Sequence, residues 1–88
     1  MNINFDCDGC LIDGKKPIDA NIELLKTLSK THKVYIWSGN GYEYSYKVAL
    51  ELGISNILSG VLNKYGTFKP DIAFDNQEID LGKLNIKI

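Results

Sequence analysis

Two aspartates, Asp6 and Asp8, follow the short run Ile3-Asn4-Phe5 and are closed by Gly9. Near the other end Asp75 follows Ile72-Ala73-Phe74, with Asn76, Glu78 and Asp80 close behind. Between them stand Ser38-Gly39-Asn40-Gly41, after the run Val34-Tyr35-Ile36-Trp37, and later Asn63-Lys64. Carboxylates packed together repel, and some must stay protonated unless a cation neutralises them. An oxygen-only set with few ligands and room for water suits Mg²⁺. A hydroxyl and a helix N-terminus beside such an ion make a site for a phosphoryl group, because amides and helix dipole favour an anion. A carboxylate left over can attack phosphorus, since Asp is an established covalent nucleophile in phosphoryl transfer.

This chemistry needs elements that carry the groups to one place. The sequence predicts a first strand over 2–6 and a small flap over 11–17, where Asp13-Gly14 favours a two-residue hairpin turn. Ile22, Leu24, Leu25 and Leu28 recur at helical spacing, which predicts a helix from Asp19, as N-cap, to about Thr31-His32. Residues 34–37, β-branched and aromatic without polar alternation, read as a buried parallel strand. A second helix is expected over 42–52 with Gly53 as its stop. Further strands are expected from Ile57-Leu58, over Asp71–Phe74 and over Leu84–Ile88, with a loop over 63–70. Strand, helix, strand, helix, strand implies an α/β fold of three-layer, Rossmann-like type with a mostly parallel five-stranded sheet. Ligands in such sheets bind beyond the carboxyl ends of the strands. That rule brings Asp6, Asp8, Ser38, Gly39, Lys64 and Asp75 to one edge.

Size and charge narrow the function classes. Eighty-eight residues form one domain over 1–88, burying roughly 60–65% of the unfolded chain's surface. Hydrophobic residues at 44% and charged residues at 24% are those of an ordinary globular domain, which excludes disorder. Ten basic against eleven acidic residues give a net charge of −1, so no nucleic-acid partner is expected. All the basic residues are lysines, so a bound phosphate must be met by Lys, backbone N–H, hydroxyls or a metal, never by a guanidinium fork. No apolar run is long enough to span a membrane, and the amino end lacks the basic segment of a secretory signal. With two cysteines, the expectation is a cytoplasmic protein with reduced thiols.

The segment FDCDGCLIDG resembles motif one of the haloacid dehalogenase superfamily, a hydrophobic strand followed by DxDGT or DxDGV. YIWSGN resembles motif two, a strand ending in Ser or Thr, and IAFDNQEID is similar to motif four, a strand ending in Asp with a second acid soon after. The resemblance covers the whole chain with the motifs in order. It implies a Mg²⁺-dependent phosphomonoester hydrolase without a cap domain, acting on a phosphorylated substrate that the sequence does not identify. Asp6 would be the nucleophile that forms an aspartyl-phosphate, and Asp8 the acid and then the base. Ser38 and Gly39 would bind the phosphoryl oxygens and Lys64 would neutralise charge. Asp6, the backbone carbonyl of Asp8, and Asp75 would hold the Mg²⁺.

Two positions in this pattern have competitors. Lys69 precedes Pro70, as the family lysine often does, yet six residues of strand at ~3.3 Å each would leave it nearly 20 Å from Asp75. Lys64 starts on the correct edge and is the expected lysine. Asn76 stands where many members have a second Asp, and Asp80 competes with it for that place; Cys10 replaces the usual Thr or Val. Cys7 and Cys10 form C-x-x-C, but Gly9 and a hairpin follow rather than a helix, and only His32 remains as a further zinc ligand, so both are expected to be structural. Tyr42, Tyr44 and Tyr46 are expected to pack or to form an interface, which fits a homo-oligomer, with Tyr42 nearest the substrate. Lys15 and Lys16 on the flap are expected to be solvated. Two other classes share such acids: a catalytically silent domain that binds metal and phosphate, and a receiver-like phospho-acceptor. Receivers place the phosphorylated Asp on the third strand, whereas here the acids pair on the first.

Overall fold

Alternate residues of the strands carry the apolar side chains, and the pairing register stacks them across the sheet. Ile3 lies beside Val34 and Ile72, and Phe5 beside Ile36 and Phe74, whose ring stacks on Phe5 with centroids 4.7 Å apart. The computed structural model describes residues 1–88. Its elements are β1 (Asn2–Asp6), β2 (Ile12–Asp13), β3 (Lys16–Pro17), α1 (Asp19–Ser29), β4 (Lys33–Ser38), α2 (Tyr42–Glu51), β5 (Gly60–Asn63), β6 (Ile72–Asp75) and β7 (Leu84–Lys87). Five strands form one sheet in the order β5-β4-β1-β6-β7, all parallel, and β2 and β3 form a separate antiparallel flap. No helix is long and apolar enough to cross a membrane.

The chain winds outward from β1 through β4 to β5, then returns to β6 and β7 on the other side of β1. That reversal puts the carboxyl ends of β1, β4 and β6 at the switch point where such sheets bind ligands. Ile3, Phe5, Val34, Ile36 and Phe74 belong to one core cluster with Ile22 and Leu25 of α1 and Val48 and Ala49 of α2. Both helices therefore cover the same face. The other face carries Asn4, Asp6, Tyr35, Trp37, Ala73 and Asp75, and two loops cover it. Phe68 packs on Tyr35 at 5.4 Å between ring centroids, Pro70 is buried, and a Cβ on Gly82 would lie 3.1 Å from that of Ala73. The side chain of Asn85 holds the second loop, accepting from the N–H groups of Leu81 and Gly82 and donating to Gly82 O at 2.9 Å.

Several expectations need correction. The second face has no helices, so the three-layer arrangement is replaced by one helical layer, the sheet and a covering of loops. Ile57-Leu58 do not start a strand; they lie in the irregular connection after α2 and pack on the core, and β5 begins at Gly60. Their apolar character reflects this burial. The flap turns at Gly14-Lys15 rather than Asp13-Gly14, since Asp13 pairs with Lys16. Gly14 alone has positive φ there, the pattern of a type II′ turn. Ile18, not Asp19, occupies the N-cap of α1, and no side chain caps it.

Asn4 on the central strand is fully buried, and neither its amide oxygen nor its nitrogen has a hydrogen-bond partner. An unpartnered buried polar group costs about 1–3 kcal/mol. Asn4→Leu, close in volume, should therefore raise the urea midpoint of unfolding with an unchanged slope; a lower midpoint would show that the amide has a partner after all.

Candidate functional site

The parallel register brings the strand tips together. Asp6 ends β1, Asp75 ends β6, Ser38 ends β4, and Lys64 follows β5 directly. Lys64 Nζ lies 3.1 Å from Asp6 Oδ1 and 2.8 Å from Asp75 Oδ2, with side chains only 9%, 9% and 1% exposed for Lys64, Asp6 and Asp75. The two carboxylate oxygens are thus within about 6 Å of each other. Lys69, the competing lysine, is exposed at the far end of β6.

One ammonium facing two buried carboxylates leaves a surplus negative charge. Burial raises the pKa of Asp6 and the Asp75 charge adds to it, while Lys64 pulls the other way; the net effect is upward. Burial lowers the pKa of Lys64, but its bonds to Asp75 and Asp6 outweigh that, and its pKa is raised. The lysine is therefore held as a cation.

A second group joins the same carboxylates. The inward-facing amide atom of Asn76 lies 3.0 Å from Asp75 Oδ1, 3.2 Å from Asp6 Oδ2 and 3.3 Å from the backbone oxygen of Asp8. With nitrogen inward the amide donates to all three. With oxygen inward, four oxygens converge and repel unless a cation lies among them. Oxygens sharing one Mg²⁺ at ~2.1 Å in an octahedron stand about 3 Å apart, and the three distances from the Asn76 atom match that spacing. No group of three or more His, Cys, Asp or Glu side chains is placed to hold a metal. The fitting donor set is instead two carboxylates, one carbonyl and one amide. Gly9 makes room for it: its φ is +77°, and a Cβ there would lie 2.2 Å from Asn76 Nδ2.

Asp8 contributes its carbonyl to that set, but its side chain turns elsewhere. Asn40 Nδ2 donates to Asp8 Oδ2 at 2.9 Å and the Tyr44 hydroxyl donates to Oδ1. The bond to Asp8 pushes the Tyr44 phenol up to about 12, so it stays protonated. Ser38 Oγ accepts the Asn40 N–H at 3.0 Å, which leaves its own proton free to donate. The start of α2, just beyond, has no side-chain cap. Asp6, Asp8, Ser38, Asn40, Lys64, Asp75 and Asn76, with Gly9, Gly39 and Gln77, line an open depression of about 320 Å³ without an apolar side chain. The largest depression, about 570 Å³, lies at the opposite edge around His32 and Asp71 and gathers no comparable set.

Other expectations sort clearly. Asp80 and Glu78 are exposed and do not line the depression, whereas Asn76 does. Tyr42 is half exposed and stacks on Tyr46, so Tyr44 is the tyrosine that reaches the acids. The helix pattern held a signal for this, because Ser45, Val48 and Ala49 mark the buried face and Tyr44 lies four residues before Val48. The role of Asn40 was not read from sequence. Cys7 and Cys10 are free, fully buried thiols, and both pack in the core cluster. Comparison with known proteins finds no matching family model, no matching curated protein and no matching solved structure.

Two predictions test this arrangement. Lys64→Ala leaves two buried carboxylates without their ammonium and should cost about 3–5 kcal/mol in urea unfolding. Asp75→Asn added to Lys64→Ala should restore part of the loss. Burial pushes both thiols up to about 12, so the native protein at pH 8 should leave Ellman's reagent essentially unreacted and the urea-unfolded protein should consume two equivalents. Rapid native labelling would contradict a structural role.

Proposed function

We propose that the chain is a Mg²⁺-dependent phosphomonoester hydrolase of haloacid dehalogenase type, working through a phosphorylated Asp6. The observation that carries this reading is that Lys64 and Asn76 each contact both Asp6 and Asp75, beside the free hydroxyl proton of Ser38. A Rossmann-like core reduced to one helical layer supports it, since the switch point lies at these residues.

Asp6 attacks the phosphorus through a carboxylate oxygen, and the bond from phosphorus to the ester oxygen breaks as Asp8 delivers a proton to that oxygen. Ser38 donates to a phosphoryl oxygen, with the Gly39 backbone and the uncapped start of α2 close by to favour the anion. Lys64 holds Asp6 in place and offsets the charge of the incoming phosphate. In the second half, Asp8, now a carboxylate, takes a proton from water as the water oxygen bonds phosphorus and Asp6 is released. Asp6, Asp75, the Asp8 carbonyl and Asn76 are the groups that would hold Mg²⁺, which when bound supplies charge neutralisation and orients the phosphate.

A second reading is a domain that binds metal and phosphate without turnover. It is favoured by Asn76, which gives the ligand set one carboxylate fewer than a second Asp would. Hydrolysis of p-nitrophenyl phosphate separates the two. Turnover is expected with Mg²⁺, is expected to stop with EDTA, and should fall by at least about 10³-fold in Asp6→Asn. Mg²⁺ binding by calorimetry with no turnover in the wild-type protein would favour the silent domain.

A further inference from the structure

We infer that Tyr44 and Asn40 are positioning residues that aim the Asp8 carboxyl at the leaving group. This rests on the phosphatase reading above. Asp8 is exposed, and it follows a strand end in a segment that Gly9 turns through a positive φ. A short, exposed side chain there is free to rotate unless something holds it. Two donors do so, one on each oxygen: the Tyr44 hydroxyl on Oδ1 and Asn40 Nδ2 on Oδ2.

Both donors come from the segment that also carries the phosphate-binding hydroxyl. The Asn40 backbone N–H binds Ser38 Oγ while its side chain binds Asp8, so one residue ties the acid to the serine. Tyr44 lies on the first turns of α2, whose Val48 and Ala49 are buried in the core. Its ring packs against that core and its hydroxyl reaches out to Asp8. The acid is thus referenced to the rigid sheet and helix rather than to its own loop. A misaimed acid harms a substrate in proportion to its need for a proton at the departing oxygen. An alkoxide leaves poorly without one, whereas p-nitrophenolate leaves readily.

The test is the leaving-group selectivity of kcat/KM, which reports steps through formation of the phosphorylated Asp6. In Tyr44→Phe, kcat/KM for glycerol 2-phosphate should fall about 10–100-fold, within the range that positioned acids contribute. For p-nitrophenyl phosphate it should fall less than about threefold, so the ratio between the two substrates widens by roughly tenfold. Asn40→Ala, which frees the other oxygen and lies on the surface, should widen the ratio in the same direction, and serves if Tyr44→Phe does not fold. Tyr46→Phe, whose exposed ring stacks on Tyr42 and makes no hydrogen bond to Asp8, should leave the ratio unchanged. Equal losses for both substrates in Tyr44→Phe and Asn40→Ala, or an unchanged ratio, would overturn the proposal while leaving the phosphatase reading intact. Wild-type protein that hydrolyses neither substrate removes that reading and this inference together.

Discussion

Two carboxylates on adjacent parallel strands cannot both be buried as anions without a cation between them. In this chain the strand tips of β1 and β6 impose that pairing, and Lys64 answers it from the end of β5. The answer is incomplete, because one positive charge faces two negative ones. Burial first, and the Asp75 charge after it, hold Asp6 above its ordinary range, and the Asn76 amide faces both carboxylates. Much of the site follows from this shortage. Gly9 has no side chain because Asn76 takes the space, and Asp8 sends its carbonyl inward while its carboxylate turns out to Asn40 and Tyr44.

The sheet supports this charge asymmetrically. One face is a continuous apolar layer gripped by α1 and α2, and it provides the cohesion. The other face includes Asn4, Asp6 and Asp75, with Trp37 among them, and it is the face on which the acids stand. Packing a second helical layer there would require an apolar surface that these residues do not offer. Loops with Phe68, Pro70 and the Asn85-held turn cover it instead. In a chain of this length, giving one face to cohesion and the other to polar groups is a physically economical division.

The sequence made Asp6, Ser38, Lys64 and Asp75 legible because each ends a strand or follows one, and a parallel sheet sends all such ends to one edge. The run Val34–Trp37 was legible because it lacks polar alternation, and the shorter strands because polar or glycine residues close each apolar run. Asn76 was visible only as a departure from a motif, since its approach to Asp6 depends on the positive φ of Gly9. Tyr44 was hidden among three tyrosines at alternate positions, and only the phase of α2 separates it from Tyr42. Ile57-Leu58 misled because packing on the core from an irregular segment calls for the same side chains as a strand does. The missing helices on the second face could not be read from β4, since Tyr35 and Trp37 look equally fit to meet a helix or a loop; the only sign lay in Asn4 and Asp6 of β1.

The flap formed by β2 and β3 is short, and its turn at Gly14-Lys15 is exposed. The depression at the strand ends is open, so under the proposed reading a phosphate can approach without any of these residues first moving aside. Under the proposed reading, turnover in such a site is not gated by the opening and shutting of a cover, which sets the pace of many enzymes. Bulk on the substrate is then no obstacle. A phosphate standing on a large molecule can be presented to Asp6 as readily as one on a small metabolite, and discrimination must come from the few groups around the rim.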